Sequence, residues 1–398
     1  MSNRNSISKL KFLSSKGASL HTVDNNNNSL LHVSCQGGTI GTVKYLVNEI
    51  GLDVNYKDNS GWTTAMDCSI SDINPISKLK FLSLKGASLH AVDNNNKSLL
   101  HVSCQGGTIG TVEYLVNEIG LDVNHEDING WTPAMDCSIS NINSIMKLKF
   151  LSSKGASLHA VESNNSSLLH VSCLGGTVET VEYLVNEIGL DINHKNNNGW
   201  TPAMYCSVSN INPIMKLKFL SSKGVSLHAV DNDNMSLLNA SCLEGNTETV
   251  EYLVNEIGLD INHKNNNGWT PAMYCSVSNI NPIMKLKFLS SKGVSLHAVD
   301  NDNMSLLNAS CLEGNTETVE YLVNEIGLDI NHKNNNGWTP AICCSISTIN
   351  SIMKLKFLSS KGVSLHAVDN NNTSLLHVSC KEGTIETVEY LVNEVGLD

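Results

Sequence analysis

Asn198-Gly199-Trp200-Thr201-Pro202-Ala203-Met204 is the stretch on which the reading of this chain turns. Its Gly-Trp pair recurs at Gly61-Trp62, Gly130-Trp131, Gly268-Trp269 and Gly337-Trp338, each 69 residues after the last. A fixed period of this kind means one structural unit stacked on copies of itself, so a length of 398 residues does not call for several separate cores. Within the stretch, Asn-Gly suits a turn that needs positive φ. Thr suits a helix N-cap and Pro the first helical position, where its missing N–H costs nothing.

Each period holds two related units, A and B. In the A unit Asp93 to Glu126, Val112, Leu115, Val116 and Ile119 fall at i, i+3, i+4 and i+7 before Gly120, which predicts a helix of about three turns with a left-handed terminator. In the B unit Asp127 to Val161, Thr132-Pro133 opens the first helix; in other copies Asn212-Pro213 and Asn281-Pro282 open the second, and Gly224 closes it. Asn-rich segments such as Asp231-Asn232-Asp233-Asn234 join the units as candidate hairpin tips.

The order Asp-x-x-Gly-x-Thr-Pro, two small residues, Gly, a Val-x-x-Leu helix and Gly-x-x-x-Asn resembles the ankyrin repeat. A units keep Leu31-His32, Leu100-His101, Leu169-His170 and Leu376-His377; B units keep Gly-Trp-Thr-Pro with Ala-Met in place of Leu-His. The resemblance implies an all-α, ankyrin-like α-solenoid of helix-turn-helix units joined by hairpin loops. Units begin at Asp24, Asp58, Asp93, Asp127, Glu162, Asn196, Asp231, Asn265, Asp300, Asn334 and Asp369. The expected layout is a partial repeat over 1–23, ten tandem repeats over 24–368 and an incomplete repeat over 369–398. Neither end carries a clear polar cap, which would fit a fragment or a minimal cap. Residues 179–272 match 248–341 without a difference, so the array grew by copying the A and B pair together.

A net charge of −12 and a charged fraction of 16%, without a dense basic cluster, argue against nucleic acid as a partner. No apolar run is long enough for membrane insertion, and Met1 to Ser6 does not lead into a signal-peptide core. Eleven of the twelve cysteines recur once per half-period, which reads as a small packing residue kept reduced in a cytoplasmic protein. His32 with Cys35, and its repeats at His101/Cys104, His170/Cys173 and His377/Cys380, would need convergence of four ligands to hold zinc. The resemblance implies instead that this His braces the hairpin, and Asn239 and Asn308 replace it in two copies. No metal and no cofactor are expected. No nucleophile, base and orienting residue recur as a set, so the chain is not expected to be an enzyme.

The candidate partner-binding residues are Trp62, Trp131, Trp200, Trp269 and Trp338, together with the position five residues on: Asp67, Asp136, Tyr205 and Tyr274, with Cys343 in the last copy. In ankyrin-like modules the Trp position lies on the hairpin and inner-helix side, the concave face used for binding, and Trp and Tyr are favoured anchors. The position after it is read as an exposed one that varies, making the groove acidic toward the N-terminal end and aromatic in the middle. The alternative is that each Trp only covers its neighbouring hairpin. On the outer helices, Lys147, Lys149 and Lys154 alternate with Glu179, Glu182 and Glu187, which reads as a solvated face whose unlike charges set the order of A and B. The expected function is a protein-interaction scaffold. Its rivals are an array that self-associates end to end and a substrate adaptor of a larger enzyme assembly.

Overall fold

Helix starts follow the caps written in the sequence. In A units Ser98 precedes the helix Leu99–Gly106 and Thr108 caps Ile109–Asn117, its hydroxyl accepting from the Thr111 N–H. In B units Thr201 caps Pro202–Ser207 by accepting from the Met204 N–H, with Pro202 at the first helical position. The second B helix, Pro213–Ser222, starts behind Asn212 held in the left-handed region at φ 46°. Gly120 and Gly224 follow the second helices at φ +77° and +91°, conformations that L side chains rarely adopt.

The structure, a computed structural model, describes residues 6–398. Met1 to Asn5, which belong to the 1–23 partial repeat and to the lead segment read as unlike a signal peptide, lie outside the described residues. Among the described residues there are α-helices, a closing π turn at Leu391–Val395 and no named strand. The hairpins are closed by isolated bridges such as Val92 with Ser98 and Val299 with Ser305. The 369–398 segment carries the helices Leu375–Glu382 and Ile385–Tyr390. None of the helices among the described residues is long and apolar enough to cross a membrane.

The chain falls into two compact units, one ending at Asn197 and one beginning at Asn198. In the first, Leu99, Leu100, Cys104, Val112, Leu115, Met135, Cys137, Leu148 and Leu151 are fully buried. In the second, the equivalent Leu237, Leu238, Cys242, Val250, Leu253, Met273, Cys275, Leu286 and Leu289 are buried in the same way. Each such leucine contributes about 1.5–3 kcal/mol by leaving water. Cys380 alone among the twelve thiols is exposed, and none is in a disulfide. The small packing position predicted from the spacing is therefore where the cysteines sit.

One expectation about the outer helices needs correction. Lys147 is not on a solvated face: it is fully buried, with Nζ donating to the Cys104 carbonyl at 2.8 Å and to Ser140 Oγ at 3.1 Å. Lys78, Lys285 and Lys354 are buried likewise, and Lys285 Nζ donates to the carbonyls of Cys242 (2.7 Å) and Gly245 (3.0 Å) and to Ser278 Oγ (2.9 Å). Every proton of that ammonium has an acceptor, which is what allows a charge in the core. Burial also lowers its pKa. The second lysine of each Lys-Leu-Lys stays outside: Lys149 pairs with Glu187 at 2.9 Å, and Lys218 with Glu256 at 3.0 Å. These pairs link each B unit to the A unit after it, but exposed pairs contribute little each.

Close approach at the hairpin tips fixes one glycine per B unit. A Cβ on Gly268, at φ +83°, would stand 2.7 Å from the Asn301 N–H nitrogen of the next tip. Gly268→Ala is therefore expected to destabilise the second unit by roughly 2 kcal/mol, combining left-handed strain with the clash. A chemical-denaturation midpoint equal to that of the wild type would contradict this.

Candidate functional site

The site is built on the hairpin that carries each Trp. The first residue of the B unit folds its side chain back over the turn: Asp58 Oδ1 accepts from the N–H groups of Ser60 and Trp62, and Asn265 Oδ1 from those of Asn267 and Trp269. The same residue closes the hairpin through its own N–H, which donates to the carbonyl of Trp62 in one case and Trp269 in the other. Successive tips are then tied together. In the first unit Asn59 N–H donates to the Asn26 carbonyl, Asn94 to Ser60, Ile128 to Asn95 and Ser163 to Asn129. In the second unit Asn266 donates to Asp233, Asn301 to Asn267, Asn335 to Asp302 and Asn370 to Asn336. A loop this well bonded is held in place before any partner arrives.

The His-x-x-Cys histidines serve these hairpins. His101 Nε2 donates to the Trp131 carbonyl at 3.0 Å while Nδ1 accepts from the Ser98 N–H. Burial pushes its pKa down to about 4, so the ring is neutral and the tautomer is fixed by those two bonds. Where the sequence has Asn instead, the amide does the same work: Asn239 Nδ2 donates to the Trp269 carbonyl at 3.4 Å, and Asn308 Nδ2 to that of Trp338 at 3.1 Å. A second series, His125, His263 and His332, reaches the tip carbonyls of Asn96, Asn234 and Asn303 at 2.7–2.9 Å.

The five Trp side chains are half-buried. Their indole N–H groups find different partners. Trp62 Nε1 donates to Asp67 of its own unit at 3.2 Å, whereas Trp200 and Trp269 donate forward to Asp231 (3.0 Å) and Asp300 (3.1 Å) of the next hairpin. Part of the Trp conservation of position along the array is thus structural, and the exposed remainder of each ring is what is available to a ligand.

The position five residues after Trp departs from the expectation of an exposed, varying site. Asp67 is 8% exposed, and Asp136 and Cys343 are fully buried; only Tyr205 and Tyr274 are half-buried. The helix they sit on is only six or seven residues long and buries nearly every side chain, so this position faces the neighbouring A helix and hairpin. An acidic groove made of Asp67 and Asp136 is not what the structure shows. Burial instead pushes Asp67 up to about 7, and pushes Asp136 up to about 6 against the opposing pull of Lys97. The tyrosines do join the Trp row: Trp200 and Tyr205 rings meet edge to face at 5.6 Å, and Trp269 and Tyr274 meet tilted by 59° at 5.3 Å. The Tyr274 hydroxyl accepts from Asn265 Nδ2 at 2.8 Å, and burial raises its pKa to about 12.

Two features escaped the sequence reading. Lys97, on the A hairpin, ion-pairs with Asp136 at 3.2 Å and lies 5.5 Å from the centroid of the Trp131 ring. The buried lysines were the other. Their signal was present, since Lys147 stands four residues before Leu151 and so on its inward face. Among the described residues no group of three or more His, Cys, Asp or Glu is arranged to hold a metal ion.

The family description "Ankyrin repeats (3 copies)" matches residues 1–82, 70–162, 142–231, 216–286 and 282–369. The human transient receptor potential cation channel subfamily A member 1 is 24% identical over 430 aligned residues, covering 96% of this chain and 37% of the channel. The NAD-dependent deacetylase sir2B of Dictyostelium discoideum is 23% identical over 352 residues, covering 83% of this chain and 43% of that protein. The ankyrin repeat protein YahD of Escherichia coli is 22% identical over 194 residues, 48% of this chain and 95% of its own. The chain thus spans well under half of the first two relatives.

Proposed function

Since this chain belongs to the ankyrin-repeat family, whose repeats are generally protein–protein interaction modules, we propose that it binds a protein partner through the hairpin and inner-helix face that carries the Trp row. The observation that carries the reading is the pairing of Trp200 with Tyr205 and of Trp269 with Tyr274 on hairpins already locked by tip-to-tip bonds. Half-buried aromatics on a rigid support lose little freedom on binding, which is the property of interface anchors. In this reading the chain acts by binding and catalyses nothing itself, in a reducing compartment such as the cytoplasm that keeps its thiols free. Its relatives include a channel and a deacetylase by their names. A role as the adaptor segment of a larger protein is compatible with the same face.

The test is affinity capture with the intact chain beside a Trp269→Ala, Tyr274→Ala variant, with thermal melts run on both. Partner binding is expected to weaken at least tenfold in the variant while it remains folded, as for anchors worth 2 kcal/mol or more. Equal capture by two folded proteins would refute the assignment of this face.

A further inference from the structure

The first and second periods carry the same Trp and Asp, but only one of them supplies a cation. Trp131 and Asp136 receive Lys97 from the preceding A hairpin, its Nζ 3.2 Å from Asp136 Oδ1 and 5.5 Å from the indole centroid. The residue 69 positions before Lys97 is Asn28, and those before Trp131 and Asp136 are Trp62 and Asp67. Asn28 Nδ2 is turned to Asp24 Oδ2 at 3.1 Å. Among the described residues no basic side chain pairs with Asp67.

In the first period the Trp62 indole N–H, and no ammonium, takes the carboxylate oxygen that Lys97 takes in the second. A cavity of about 470 Å³ is lined by Asn28, His32, Asp24, Asp58, Trp62 and Asp67, among others. Asp67 is 8% exposed, and its Oδ2, like Asp136 Oδ2 beside Lys97, is buried without a hydrogen-bond partner. What the second period has and the first lacks is a cation beside the carboxylate, and a buried carboxylate gains from a charged donor. Asp24 and Asp58 add negative potential, although their Oδ1 atoms already hold the two turns. His32 Nε2 is used on the Trp62 carbonyl.

We propose that this cavity takes the side-chain ammonium of a lysine presented by a partner protein, seated between the Trp62 indole and the Asp67 carboxylate as Lys97 is seated between Trp131 and Asp136. The chain's own second period is the template for the occupant: a primary ammonium on a flexible apolar stem, which packs along the ring while its head reaches the carboxylate. The proposal rests on reading the array as a protein-binding surface, and it adds the chemistry that one subsite selects.

The full chain labelled with 15N-tryptophan gives one indole resonance for each of its five tryptophans, that of Trp62 being assigned from Trp62→Phe. At pH 8, a capped Gly-Ser-Lys-Ser-Gly peptide is expected to move that resonance saturably, while the norleucine peptide leaves it in place. Asp67→Asn should weaken the effect at least tenfold, in line with loss of a charge-assisted bond. Asn28→Lys should abolish it by filling the cavity from within, and this variant keeps both Trp62 and Asp67. No movement in the wild type, an undiminished response in Asn28→Lys, or an equal response to ammonium chloride would each overturn the proposal. The broader reading fails separately, through the Trp269 and Tyr274 variant, which does not touch this cavity.

Discussion

Lys285→Met is expected to destabilise the second unit by about 3 kcal/mol. The substitution keeps the length and most of the volume of the stem, so packing changes little. What is lost is a three-way donor at the centre of a repeat junction. The carbonyls of Cys242 and Gly245 and the hydroxyl of Ser278 all take protons from Lys285 Nζ. Orphaned buried acceptors cost about 1–3 kcal/mol each, partly offset because an ammonium no longer has to be desolvated. Ser278 Oγ keeps its bond to the Leu243 carbonyl, which limits the damage. Urea unfolding and amide exchange in Leu237–Glu244 and Pro282–Ser291 would show the effect; an unchanged midpoint and unchanged exchange would mean that the ammonium is a passenger.

Asp67→Asn is expected to stabilise the first unit, and to do so only when the pH is high enough. Burial raises the Asp67 carboxyl from 3.8 to about 7 in the folded chain. Between those values the unfolded chain has released a proton that the folded chain still holds, so stability falls as pH rises through this window and is level above it. The full cost is on the order of 4 kcal/mol. Asparagine removes it while its amide oxygen still accepts from Trp62. The difference in stability between variant and wild type should therefore be near zero at pH 3.5 and largest at pH 8. Asp136→Asn should gain less, since there the Lys97 ammonium partly offsets the burial and the carboxyl rises only to about 6. A pH-independent difference for Asp67→Asn would show that its carboxyl ionises as an ordinary exposed one.

The repeat plan could be read from the sequence because its signals are local. Thr201-Pro202, Asn212-Pro213 and Gly224 each state a cap, a start or a stop within a few residues, and the structure places a helix end at each. The side of the helix that Asp67 and Asp136 occupy was not legible in that way. A six-residue helix offers less than two turns of periodicity, and the neighbour that covers this position lies about 35 residues away in sequence. Nor does a polar residue announce its own burial: Lys147 and Lys149 differ by two positions, and only the first has carbonyls waiting for it. The Trp row falls between these cases. Its place on the hairpin follows from the Gly before each Trp, while the forward bonds of Trp200 and Trp269 to Asp231 and Asp300 depend on how one hairpin meets the next.

The lysine clasps have a consequence for how the chain can change in length. The bonds described between neighbouring repeats span at most 43 residues, as from Lys354 to Cys311. Because 179–272 and 248–341 are the same sequence, excising residues 248–316 would hand Lys354 the carbonyl of Cys242 in place of that of Cys311, and would offer Asn335 the tip of Asp233 in place of that of Asp302. Every junction would meet a familiar face. A cut of half that size would set A against A and give the clasp no counterpart. The molecule is in this sense a ruler graduated in pairs of repeats, free to gain or lose whole divisions by recombination and closed to fractions of one.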